Sequence, residues 1–81
     1  MSAQTYNGCA NYETWNVSLW IQNDVGLYEL ARQVARFGGT YQDFVVSMEE
    51  CGLLTTPDGV AWDDVNINGI EVNETIKEMY D

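Results

Sequence analysis

The heaviest constraint on this chain lies in residues 11–24, N-Y-E-T-W-N-V-S-L-W-I-Q-N-D, where Trp15 and Trp20 join Tyr12, Val17, Leu19 and Ile21 within fourteen positions. Trp15, Val17, Leu19 and Ile21 alternate as in a strand, while Trp15 with Leu19, Tyr12 with Trp20, and Val17 with Ile21 also fall at helical spacing. The closing Asn23-Asp24 pair suits the N-cap of a following helix, β-branched residues are few, and no strong partner strand lies downstream. A helix is therefore predicted. Its apolar residues spread around most of the circumference, which demands burial on more than one side and makes it the expected centre of the fold.

The chain has 81 residues, enough for one domain. A domain of this size buries only about 60–65% of its unfolded surface, so each bulky side chain weighs on net stability. Three Trp, five Tyr and two Phe supply the candidates, each able to bury roughly 150–250 Å². At least two of Trp15, Trp20 and Trp62 are expected in the core. Residues 1–10, small and polar with Gly8, read as a flexible or loosely docked arm, and residues 11–81 as a single globular domain.

Four helices follow from pattern and punctuation. The first spans about residues 12–22, with Asn11 or Thr14 available as its cap. Asp24 caps the second, which carries Leu27, Tyr28, Leu30, Ala31, Val34 and Ala35 as a stripe and ends at Gly38-Gly39. Thr40-Tyr41-Gln42-Asp43 opens the third as a capping box with Asp in place of Glu. Its buried face is predicted to be Tyr41, Phe44, Val45, Met48 and Cys51, with Gly52 as its stop. Residues 53–68 form a long loop containing the turn Thr56-Pro57-Asp58-Gly59, after which Trp62 returns to the core. Asn68 caps the fourth helix, in which Val72, Ile76 and Met79 recur. The expected fold is thus all-α, a compact bundle of about four short helices with one long loop. The alternative is α+β, in which residues 65–72 turn at Asn68-Gly69 as a small hairpin.

Thirteen Asp and Glu stand against Arg32, Arg36 and Lys77, with no His, for a net charge of −10. Such a surface repels nucleic acid and anionic lipid and favours either solubility or a basic partner. A duplex as long as the domain, about 30 Å, carries roughly 18 phosphate charges. Imitation of DNA is therefore open only for a short or single-stranded stretch. Cys9 and Cys51 read as free thiols rather than a disulfide framework. The first residues lack the pattern of a signal peptide, and no apolar run approaches the roughly 20 residues that span a bilayer. A cytoplasmic protein without a membrane partner is expected.

The chemistry-bearing side chains are sparse. With no His and one Lys, the usual general bases and nucleophile activators are missing, so an enzyme is not expected. Asp58, Asp63 and Asp64 do not match a calcium loop, zinc needs more Cys or His, and the glycines form no phosphate cradle. No metal or cofactor is expected. What remains is a set of acidic clusters: Glu49 with Glu50, Asp63 with Asp64, and Glu71, Glu74 and Glu78 at i, i+3 and i+7 of the last helix. Such rows are commonly solvated faces. Their sharper reading is a contact for Lys and Arg on a partner, since like charges on one side are better tolerated when something offsets them. Glu13 and Asn16, set among apolar neighbours, are expected to cap, the alternative being that they are recognition groups.

The run Tyr12-Glu13-Thr14-Trp15-Asn16-Val17, continued by Leu19-Trp20-Ile21 and Asn23-Asp24, with Thr56-Pro57-Asp58-Gly59-Val60 and Trp62 downstream, resembles a family of small bacteriophage and plasmid proteins of unknown function. The likeness extends over about residues 11–79. The family supplies no catalytic residues to carry over. It implies a setting, because small acidic phage proteins often bind a host protein, among them anti-restriction and anti-CRISPR inhibitors. The expected function is then modulation of a host protein with a basic surface, foremost inhibition of a nucleic-acid-binding defence or transcription factor. The alternative is an adaptor or activator of a host enzyme or protease complex.

Overall fold

A computed structural model describes residues 8–80, excluding the side chain of Tyr80, and places them in an all-α bundle. The helices are α1 (Tyr12–Asn23), α2 (Val25–Arg36), α3 (Tyr41–Glu50) and α4 (Gly69–Tyr80). Most of the arm predicted at residues 1–10 lies outside the described residues. At its inner end, the Ala10 amide donates to Glu71 Oε1 at 2.8 Å.

Each helix begins, and α1, α2 and α3 also end, on local chemistry that the sequence carries. Asn11 Oδ1 accepts from the Thr14 amide and caps α1. Asp24 alone separates α1 from α2: its amide donates back to the Trp20 carbonyl, while its Oδ1 accepts from Leu27. Thr40 and Asp43 form the capping box of α3, and Asn68 Oδ1 accepts from the Glu71 amide in α4. Both α2 and α3 close with paired reverse bonds. Gly38 N–H reaches Ala35 O and Gly39 N–H reaches Val34 O; Gly52 N–H reaches Glu49 O and Leu53 N–H reaches Met48 O. These are Schellman closures, and Gly38 and Gly52 occupy their left-handed positions at φ +77 and +78.

The Asn68-Gly69 hairpin does not form, because Asn68 spends its side chain on the first turn of α4 and Gly69 is already helical. Chain reversal occurs instead at Thr56-Pro57-Asp58-Gly59, where Gly59 N–H bonds Thr56 O, Thr56 N–H bonds Val60 O, and Thr55 and Ala61 make an isolated antiparallel bridge.

The core joins Val17 and Ile21 of α1, Ala31 of α2, Phe44, Val45 and Met48 of α3, Val72 and Ile76 of α4, and Trp62 from the loop. Trp62 meets Phe44 edge to face at 5.5 Å between ring centroids, a favoured aromatic geometry. Trp20 packs against this core half-buried, and Trp15 is also half-buried. The first helix is not the hub predicted from its composition. It packs on α2 and α4, whereas α2 and α4 each also pack on α3. Its inward face is partly polar: Thr14, Asn16 and Ser18 are buried beside Val17 and Ile21. Cys51 leaves the predicted buried face of α3, because it is the C-cap residue and stands exposed where the chain turns away.

Candidate interaction surface

The polar residues of α1 have partners in the long loop. Asn16 Oδ1 accepts from the Thr56 hydroxyl at 2.7 Å, and Asn16 Nδ2 donates to Asp58 Oδ2 at 2.8 Å. Trp20 Nε1 donates to the same Asp58 oxygen at 2.9 Å. Thr56 Oγ1 in turn accepts the amides of Asp58 and Val60. One turn lower, Thr14 Oγ1 accepts from the Asn68 amide and Asn11 Nδ2 donates to Asn66 O. Asn16 is therefore a buried bridge between α1 and the turn rather than a capping group. Its hydrogen bond, followed by that of Trp20, holds the Asp58 carboxyl below its ordinary pKa. This array of polar bonds ties α1 to the loop and fixes the position of the turn.

The carboxylates singled out from the sequence fall into separate patches. Glu49 and Glu50 are exposed at the C-terminal end of α3. Asp63 is exposed and Asp64 half-buried, with Asp64 Oδ1 accepting from the Asn66 amide. Both lie near Tyr41 at the opposite end of α3: burial, then Asp63 and Asp64, push the Tyr41 hydroxyl pKa up, and that hydroxyl donates to the Trp62 carbonyl. On α4, Glu74 and Glu78 are exposed, whereas Glu71 is half-buried and accepts from the Ala10 amide. Burial, and then the Glu71 charge, raise the Cys9 thiol pKa. No group of three or more Cys, Asp or Glu is gathered to hold a metal ion among the described residues.

Positive charge is concentrated elsewhere. Arg32 and Arg36 line one concavity of α2 together with Glu29 and Gln33, and Arg32 lies 6.0 Å from the centroid of the Tyr28 ring.

A feature without a sequence forecast is an open groove of about 660 Å³ between α2, the end of α3 and the loop. It exists because Leu27 and Leu30 of α2 are only half-buried against the core. Met48, Leu53 and Trp62 complete its apolar wall, and Asp24 and Cys51 also line it. The Schellman closure of α3 puts Leu53 there, so the groove adjoins the helix end that bears Glu49 and Glu50.

Fold and surface define a small, acidic, all-α domain with a polar network between α1 and the long loop, exposed carboxylates on several faces and an apolar groove beside the end of α3. The chain belongs to DUF7249, a family of unknown function, whose model matches residues 2–81. No curated protein and no solved structure matches it. No helix among the described residues is long and apolar enough to cross a membrane.

Proposed function

We propose that this chain is a phage- or plasmid-type interaction protein that works in the host cytoplasm by binding a basic surface of a host protein. Its foremost targets are nucleic-acid-binding defence or transcription factors, whose cationic sites it would occlude. The observation that carries this proposal is the placement of Glu49 and Glu50. Both are exposed in the last turn of α3, which contains no Lys or Arg. The carbonyl end of a helix dipole disfavours anions, by about 0.3–1 kcal/mol each. A partner's Lys or Arg docked there would offset both the dipole and the mutual repulsion. Glu74, Glu78 and Asp63 extend the same sign over other faces.

The test is capture of host proteins by the purified domain at low and moderate salt, repeated with Glu49, Glu50, Glu74 and Glu78 changed to Gln. The expected partners carry basic patches, are released as salt rises, and are lost with the Gln substitutions. Capture that survives both changes overturns the proposal and favours an adaptor anchored by apolar contacts.

A further inference from the structure

We propose that the groove between α2, the C-terminal end of α3 and residues 53–57 receives a basic amphipathic segment of the partner, its apolar side chains inserted and its Lys or Arg on the acidic rim. This inference rests on the functional proposal above and specifies how that partner is held. Three observations select the occupant. The groove is open to solvent and its wall is apolar: Leu27 and Leu30 are half-buried and Leu53 is exposed, over a floor of buried Met48 and Trp62, with Leu54, the next residue, 60% exposed. No Lys or Arg lines it, while Asp24 does, and Glu49 and Glu50 are exposed in the last turn of α3, between its lining residues Met48 and Cys51 in the chain. The carbonyl end of α3 adds partial negative charge at the same place.

Other occupants fit less well. An acidic or anionic ligand meets charge of its own sign. A second copy of this chain brings a net charge of −10 to a molecule of net charge −10, which opposes association. An amphipathic segment with aliphatic anchors at i, i+3 or i+4 and cationic flanks satisfies both the wall and the rim, the common mode by which a groove takes a helix.

Cys51 lines the groove and is exposed, so its alkylation reports occupancy. The full chain carrying Cys9→Ser leaves it as the single thiol. Three probes are compared by maleimide labelling of Cys51 and by direct titration. They are a Leu-Lys amphipathic peptide of about 14 residues, roughly four helical turns, its Leu-Glu counterpart, and an oligolysine without Leu. Present at about ten times its Kd, a groove ligand slows labelling roughly tenfold. The Leu-Lys peptide is expected to do so, the other two are not, and Leu53→Asp or the pair Glu49→Gln and Glu50→Gln should each abolish protection. Equal protection by the Leu-Glu peptide, or protection indifferent to those substitutions, overturns the inference. Slower labelling with rising protein concentration and no peptide also overturns it, by showing that a second copy fills the groove. If both cationic probes bind equally without shielding Cys51, the groove is excluded and the basic-partner proposal stands. If neither binds even at low salt, both fall.

Discussion

Asn16 and Asp58, 42 residues apart in sequence, are joined by a hydrogen bond of 2.8 Å that ties the middle of α1 to the tip of the long loop. The same Asp58 oxygen accepts the Trp20 indole N–H, so two residues of one helix fix one turn. Because these bonds favour the ionised carboxylate, the folded-state pKa of Asp58 lies below its unfolded value, near about 3.9. The associated stability is present above the unfolded pKa and disappears as pH falls through the folded one. Asp58→Ala should therefore melt below the unsubstituted protein at neutral pH, with the gap closing in acid. A gap that stays constant down to the acid limit would contradict this linkage.

Ser18 presents the opposite case. Its hydroxyl is buried in α1 and finds no hydrogen-bond partner among the described residues. A buried unsatisfied group is unfavourable, and Ala is the better helix former. Ser18→Ala should raise the unfolding free energy by about 1 kcal/mol in urea titrations. A loss of stability would show that the hydroxyl is engaged.

Gly39 is required by space rather than by backbone conformation. A Cβ there would stand 2.9 Å from Val34 Cγ1 and 3.0 Å from both Val34 O and Asp43 Oδ2. Asp43 belongs to the α3 capping box, so it has little freedom to move aside. Gly39→Ala should cost about 1–3 kcal/mol by overpacking. Gly69, where an added Cβ meets nothing within 4 Å, should gain about 0.4–1 kcal/mol on substitution by Ala. Thermal melts of the two variants should move in opposite directions.

Removing charge from the end of α3 should separate stability from binding. Glu50→Gln is expected to stabilise the isolated domain by about 0.3–1 kcal/mol, since it relieves the unfavourable dipole contact. The same substitution should weaken binding to the Leu-Lys peptide. If stability and affinity fall together, Glu50 supports the fold and is not held in reserve for a cation.

The parts of this structure written in local sequence were legible there. Caps at Asp24, Thr40 and Asn68, the stops at Gly38 and Gly52, and the turn at Pro57 each act within a few residues, and all appear where their residue types place them. Trp62 is buried as its place after that turn suggested. The role of Asn16 was hidden, because its partners Thr56 and Asp58 lie 40 and 42 residues away. For the same reason α1 looked like a hub: its apolar count said nothing of the buried Thr14, Asn16 and Ser18. The groove was illegible for a related cause. It depends on how far α2 sits from the loop, and the stripe Leu27, Leu30 and Val34 reads the same whether wholly or half covered. Cys51 obeyed helical spacing but fell at the last residue before the turn, where spacing ceases to dictate burial.

The bond from the Asn68 amide to Thr14 spans 54 residues. Asn16, by contrast, needs nothing beyond Asp58. The two polar anchors of α1 thus depend on different later segments, and unravelling the first turn of α4 would release Thr14 while leaving the bridge from Asn16 to the turn in place.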